Sequence, residues 1–185
     1  MKVMKPLTIV IAVLLSVSLF AQTQIGLNGV GGKIGYVDPE GGIESTIGFG
    51  VVADLGTITP KIAFEADIFY WGKSYDFGFG SDVKFSSFTI SALGKYLFAE
   101  SKEQLRPYAG AGLGLAIGKS KVEYTDPWTG SKASESDSDS DIVIHLCGGT
   151  KYRLSPQLDG FAELRYTLGD LDVLSILVGA IYSLK

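Results

Sequence analysis

Cysteine is almost absent from this sequence, because Cys147 is the only one among 185 residues. A single thiol cannot form an internal disulfide bond. Long apolar runs are also missing after residue 21, where none approaches the ~18 residues that suggest a membrane-spanning helix. The same region shows no long helical periodicity, so neither a second membrane helix nor a helical bundle is expected.

The first 21 residues differ in composition from the rest. Lys2 and Lys5 precede residues 7–20, which form an uncharged stretch of 14 residues, and the small Ala21 closes it. That layout is typical of a secretory signal peptide. We predict a cleavable signal peptide over residues 1–21 and one mature domain over residues 22–185. A retained anchor is the alternative, although a helix needs ~20 residues to cross a bilayer.

Basic residues are in the minority in the mature domain. Without Lys2 and Lys5 it has 14 basic and 20 acidic side chains, a net charge of −6. A nucleic-acid-binding protein would present a basic face. We therefore expect no nucleic-acid partner.

A period of two organises the mature domain. Apolar residues alternate with polar residues or glycine in eight runs, and segments rich in turn residues separate them. Eight such runs with short connections predict one antiparallel meander. The runs are 25–37, 43–55, 61–71, 84–98, 107–123, 142–154, 160–168 and 173–184.

Alternation alone does not say which face lies inside. In the third run Glu65 and Asp67 share one face, and Phe64 and Ile68 share the other. A soluble barrel that binds a small apolar ligand in the periplasm would alternate in the same way, with its apolar face inside. That protein is one alternative to a membrane barrel, whose apolar face lies outside.

Glycine and charge share the polar face, and this favours the membrane arrangement. Glycine is favoured in strands where other groups approach closely, as inside an eight-stranded barrel that side chains just fill. The glycines are Gly29, Gly31, Gly48, Gly50, Gly110, Gly112 and Gly114. The predicted interior polar network consists of Lys33, Asp54, Glu65, Asp67, Lys95, His145, Lys151, Arg153, Glu163 and Arg165.

Aromatic residues near the ends of the runs suggest two girdles at the membrane interfaces. One predicted girdle has Phe98, Tyr108, Tyr152, Phe161 and Tyr182, and the other has Tyr36, Tyr70, Trp71, Phe85 and Tyr124. The longest connections, 72–83 and 124–141, lie at the end opposite the termini, as external loops should. The fold expected is therefore an all-β, eight-stranded, antiparallel, up-and-down transmembrane β-barrel in the bacterial outer membrane.

Two segments carry a family resemblance. Residues 106–116, RPYAGAGLGLA, resemble the start of a mid-barrel strand in small outer-membrane proteins of the OmpA/OmpX type. The last run resembles their C-terminal assembly signal, here Gly179, Tyr182 and Leu184, with Leu184 in place of the usual aromatic residue. The resemblance implies insertion by the barrel-assembly machinery, and it implies no particular activity.

His145 and Cys147 raise the possibility of an enzyme. Some eight-stranded outer-membrane barrels are lipid A deacylases with a His-x-Ser pair, and here Cys147 stands in place of the serine. Both side chains are predicted to face the interior, whereas a lipid substrate arrives from outside. We expect a protein that is not an enzyme, with a lipid-modifying enzyme as the alternative.

The acidic residues between 135 and 141 alternate with serine. They lack the glycine and the terminal glutamate of an EF-hand loop. We interpret them as part of a solvated external loop, with calcium binding as the alternative.

The expected function is therefore structural or interactive. We expect a monomer that contacts outer-membrane lipid, displays external loops to an unidentified ligand and has its lumen filled by side chains. No cofactor and no metal are expected.

Overall fold

The computed structural model describes residues 24–76, 82–99, 103–125 and 132–184, so the predicted signal peptide lies outside the described residues. Within these ranges there is no helix long and apolar enough to cross a membrane. The structure consists of eight strands: β1 Gln24–Pro39, β2 Thr46–Thr59, β3 Ile62–Asp76, β4 Asp82–Leu97, β5 Leu105–Thr125, β6 Lys132–Ser155, β7 Leu158–Leu168 and β8 Val173–Ser183.

The strands close into one barrel. Each strand pairs antiparallel with the next, and β1 pairs antiparallel with β8 from Gly29 opposite Ser183 to Pro39 opposite Val173. This closure gives both edge strands a hydrogen-bonding partner. The predicted up-and-down barrel of eight antiparallel strands is confirmed.

The two faces of the sheet differ as the alternation predicts. On β3, Glu65 and Asp67 are buried inside the barrel, while Ile68 and Tyr70 are exposed outside it. The outward face of the other strands is likewise apolar. Its exposed side chains include Val30, Ile34, Phe49, Val51, Ile90, Leu113, Leu115, Ile144, Leu146, Leu164, Ile176 and Val178.

The inward glycines are sites of close approach. A methyl group on any of the seven glycines predicted for the polar face would lie less than 3.0 Å from a neighbouring atom. On the outward face, a methyl group on Gly32, Gly94 or Gly148 would have no neighbour nearer than 3.8 Å. The inner surface of the curved sheet therefore excludes side chains at these positions.

The prediction of an external loop over residues 124–141 is wrong for residues 132–141, which belong to a strand. β6 begins at Lys132 and has 24 residues, and Asp137 and Asp139 pair with Ser120 and Gly118 of β5. A strand needs only ~9–11 residues to cross a bilayer. The hairpin of β5 and β6 therefore extends well beyond the lipid-facing part of the barrel. We call the end that carries this extension the hairpin end, and the opposite end, where β1 begins and β8 ends, the terminal end.

The predicted aromatic girdles are only partly correct. Tyr36, Tyr70, Phe98, Tyr152 and Tyr182 are exposed on the outside. In contrast, three predicted members are buried in the lumen and Phe85 is half-buried, because their strand positions have inward parity. The three buried residues are Trp71, Tyr108 and Phe161. The side chain of Tyr124 lies outside the described residues.

The exposed apolar band leads to a first prediction. Leu164→Arg, on the outward face of β7, should lower the free energy of unfolding in lipid vesicles by ~2–4 kcal/mol, because the charge would lie in hydrocarbon. Ser138→Arg, on the outward face of the β6 extension, is the matched control and should change this free energy little. Equal effects at the two positions, measured by urea unfolding in vesicles, would contradict the face assignment.

Candidate functional site: the charged interior of the barrel

Strand β7 supplies the two central charges of the lumen. Glu163 and Arg165 are two residues apart, so both point inward. The Arg165 Nε donates a hydrogen bond to Glu163 Oε1 at 2.8 Å, and Nη2 lies 2.6 Å from the same oxygen. These two residues connect the two halves of the buried network.

Asp67 and Lys33 form the half nearer the hairpin end. The Arg165 Nη1 donates to Asp67 Oδ2 at 2.8 Å, and Lys33 Nζ lies 2.8 Å from the same oxygen. Lys33 Nζ is also 5.0 Å from the centre of the Phe69 ring. The Asp67 carboxylate on β3 therefore pairs with side chains from both β1 and β7.

Lys95 and Glu65 form the half nearer the terminal end. Lys95 Nζ is 2.7 Å from Glu163 Oε2 and is also paired with Glu65. Glu65 Oε1 is 2.5 Å from Lys151 Nζ, which is 3.9 Å from Asp54 Oδ2. Tyr108 contributes its hydroxyl, which donates to Glu163 Oε2 at 2.8 Å.

These contacts form one continuous chain of alternating charge across the lumen. It contains four acids and four bases, so its formal charge is zero. The order is Lys33, Asp67, Arg165, Glu163, Lys95, Glu65, Lys151 and Asp54. Because a buried charge without a partner is costly, this alternation allows so many ions to occupy the interior.

His145 and Arg153, the other two predicted members, lie outside this chain. The His145 ring is buried, with Nε2 2.9 Å from Ser91 Oγ and Nδ1 3.0 Å from Thr167 Oγ1. Arg153 is half-buried near the terminal end, where its Nε lies 3.9 Å from Asp159 Oδ1. The structure therefore brings eight of the ten predicted side chains into one chain of ion pairs.

Several residues of the interior were missed by sequence reasoning. Tyr108 was predicted to belong to a girdle. It lies two residues from Gly110, and this spacing places both residues on the inward face. Ser91 and Arg106 were not predicted for the interior, and Arg106 Nη2 lies 2.6 Å from Asp159 Oδ2. Small hydroxyl residues occur on both faces of strands, so alternation alone does not identify them.

The three residues of the predicted assembly signal lie on β8 or directly after it. Gly179 faces inward, and a methyl group there would meet the carbonyl oxygen of Gly32 and lie 2.6 Å from Cζ of Phe161. Tyr182 and Leu184 are exposed on the outside. The Tyr182 hydroxyl donates to Gln157 Oε1 at 3.0 Å.

Comparison with known proteins identifies the family. Residues 7–183 match the outer membrane protein beta-barrel domain family. The chain belongs to this family, and it is therefore a transmembrane β-barrel of the bacterial outer membrane. No curated protein matches the sequence.

Solved structures of small barrels share the fold. Neisserial surface protein A is 19% identical with a TM-score of 0.61, covering 85% of this chain and 97% of that one. Ail of Yersinia pestis, solved with the heparin analogue sucrose octasulfate, is 19% identical with a TM-score of 0.56, covering 84% and 99%. The N-terminal barrel of Pseudomonas aeruginosa OprF is 16% identical with a TM-score of 0.50, covering 85% and 98%.

The charge chain leads to a second prediction. Glu163→Gln should lower the free energy of unfolding by ~3–5 kcal/mol, because Lys95 and Arg165 would each lose a buried partner. The matched control is Glu44→Gln, since Glu44 pairs with Lys73 but its side chain is 69% exposed. This control should cost less than ~1 kcal/mol. Urea unfolding in detergent micelles measures both, and a cost for Glu163→Gln as small as that of the control would contradict the network.

Proposed function

We propose that this protein is a monomeric outer-membrane anchor without enzymatic activity. Its lumen is plugged by side chains, and its hairpin end acts as an interaction surface outside the cell. The chain of eight alternating charges across the lumen is the observation that carries this proposal. Outer-membrane lipid surrounds the apolar outer face, and the barrel-assembly machinery inserts the chain by way of Gly179, Tyr182 and Leu184.

The interior geometry supports a plug over a pore. The eight side chains of the charge chain come from β1, β2, β3, β4, β6 and β7, so they reach across the lumen from most of its wall. Tyr108 and Phe161 fill space beside Lys95, whose Nζ lies 4.5 Å and 5.9 Å from the two ring centres. An eight-stranded barrel is just wide enough for such side chains to fill.

The surroundings of His145 support a non-catalytic role. Both ring nitrogens have hydroxyl partners, Ser91 and Thr167, so the ring is held between strands β4 and β7. An acyl-transfer triad needs an acid that orients the histidine and a nucleophile beside it. Here Thr167, which is not an acid, is the partner of Nδ1 of His145. Cys147 is a buried thiol.

The hairpin end supports an interaction role. The β5–β6 hairpin is long and paired by backbone hydrogen bonds, so it offers a structured surface. Its β6 strand carries Glu135, Asp137, Asp139 and Asp141. The β5 strand of the same hairpin carries Lys119 and Lys121, so the hairpin presents both signs of charge, and we do not extend the sucrose octasulfate bound by Ail to this chain.

Labelling of intact cells tests the orientation. In a Cys147→Ser background, a cysteine introduced by Asp170→Cys in the β7–β8 turn should react with a membrane-impermeant maleimide on intact cells. Gln157→Cys, in the β6–β7 turn at the terminal end, is the matched control and should react only after permeabilisation. The reverse pattern would place the hairpin end in the periplasm.

Planar-bilayer recording tests the plug. The purified protein should show no large, steady conductance, because paired side chains occupy the lumen. Lys33→Ala and Asp67→Ala together keep the chain neutral and remove the Lys33–Asp67 and Arg165–Asp67 ion pairs, so this variant should raise the conductance. Reproducible nanosiemens steps from the unmodified monomer would rule out a plugged lumen.

A further inference from the structure

An open groove lies on the outside of the barrel, where the extended strands of the hairpin end meet the apolar band. Its volume is about 760 Å³, within the usual range for small-molecule sites. We call it the outer groove. Its apolar side is formed by Ile47, Phe49 and Tyr70, which are exposed on the outward faces of β2 and β3. The ring centres of Phe49 and Tyr70 are 5.5 Å apart, so the two rings form one continuous apolar surface.

The other side of the outer groove is basic. Lys84 on β4 and Lys119 and Lys121 on β5 line it, together with the inward-facing Asp137. Lys73 also lines the groove, but it pairs with Glu44 at 2.9 Å. The other lining charges, three cations and one carboxylate, sum to +2. This side therefore attracts an anion.

Two of these lysines face each other directly. Lys84 and Lys121 are cross-strand partners, and Lys119 lies on the same face, opposite Ser86. The Cβ atoms of directly opposite residues lie ~5 Å apart, and like charges in such a pair repel. An anion between the two ammonium groups would relieve this repulsion. A lysine Nζ has three N–H donors, so a lysine that contacts one carboxylate keeps donors for a second anion.

The height of the lysines along the barrel corresponds to the lipid headgroups. The outward residues of β5 are, in order, Leu113, Leu115, Ile117, Lys119 and Lys121. Because a strand rises ~3.4 Å per residue, Lys119 follows the last apolar residue by ~7 Å. The polar headgroup layer extends over about this distance beyond the hydrocarbon. The lysines therefore lie where a headgroup phosphate is found, and the apolar side lies where acyl chains are found.

The two sides of the groove narrow the class of ligand. A free inorganic anion would make no contact with the apolar side, and a neutral lipid would bring no anion to the lysines. Exposed hydroxyl groups also line the groove, at Ser74, Ser136 and Ser138, and they suit the hydroxyl groups of a sugar. A glycolipid that carries phosphate meets all three conditions.

We propose that the outer groove binds lipid A, the phosphorylated glycolipid of the outer leaflet. One phosphate lies among Lys84, Lys119 and Lys121, and an acyl chain packs against Phe49 and Tyr70. The choice of lipid A rests on the proposed function, which places the hairpin end outside the cell. The dependence of binding on phosphate can be measured without that assumption, in nanodiscs whose two leaflets have the same composition.

Nuclear magnetic resonance in nanodiscs tests the site. When lipid A replaces part of the phosphatidylcholine around the ¹⁵N-labelled protein, the amides of Tyr70, Ser86 and Ser138 should show saturable chemical-shift changes. Lipid A without its phosphates has the same sugars and acyl chains, and it should leave these amides unchanged. Inorganic phosphate should also leave them unchanged, because it brings no acyl chain to the apolar side.

Variants test the three lysines. Lys84→Gln, Lys119→Gln and Lys121→Gln together should weaken the association with lipid A by about tenfold, because each lysine near a lipid phosphate strengthens binding. The three corresponding arginine substitutions keep the charge and should keep the affinity. Lys61→Gln is the matched control, since Lys61 is exposed in the β2–β3 turn at the terminal end, and it should change nothing. Urea unfolding in phosphatidylcholine vesicles should give the same free energy for all these variants.

The contrary results are distinct from one another. Equal shifts with dephosphorylated lipid A, or an unchanged affinity in the glutamine variant, would overturn the phosphate site. Equal shifts with phosphatidylglycerol would show a general site for anionic lipid, and shifts with inorganic phosphate alone would show a site for a soluble anion. Either result would overturn the assignment to a glycolipid. A periplasmic hairpin end in the labelling experiment would instead contradict the proposed orientation, and the choice of lipid A with it, even where the nanodiscs show phosphate dependence.

Discussion

The requirement that every backbone N–H and C=O be paired within the protein governs this structure. Hydrocarbon offers no hydrogen-bonding partner, so a membrane-spanning sheet must close on itself. Here the pairing of β8 with β1 achieves this closure with only eight strands. The resulting sheet is strongly curved, and the backbone of each strand approaches the inward face of its neighbour. At Gly31, for example, a methyl group would collide with the carbonyl oxygen of Ala180, so the curvature itself explains the glycines of the lumen.

The interior charges follow from the same narrow radius. Long side chains fill the lumen over the glycines, and once buried they must be paired. Buried ion pairs are weak evidence for stability, since desolvation offsets much of their attraction. They specify the register strongly, however, because a slip of one residue would move Glu163 and Arg165 to the lipid face. Arg165 meets Asp67, which is 98 residues away in the chain, only in one arrangement of the strands.

The sequence allowed the faces of the strands to be predicted, but not the partners of the buried charges. A period of two assigns a side chain to one face, and this was enough for Glu65 and Arg165. The pairing of each acid with a particular base depends on the strand register and tilt. Neither can be read from a local sequence pattern. In the part of β6 beyond the membrane, no apolar residues alternate with the polar ones. Its serines and aspartates were therefore interpreted as a loop. Trp71, Tyr108 and Phe161 were misplaced because an aromatic residue near a strand end suits both an interface and the lumen.

The lining of the lumen changes along the barrel axis, and this change bears on the proposed plug. The charge chain occupies its middle, and near the terminal end Tyr108 packs with Leu93 and Leu97. Between the charge chain and the hairpin end, the lumen is lined by the apolar residues Trp71, Val173 and Leu177. In a lumen plugged in the way we propose, a molecule that enters at the hairpin end must leave by the same route. Under the proposed plug, the cavity at the hairpin end would therefore be closed towards the terminal end and would give no route across the membrane.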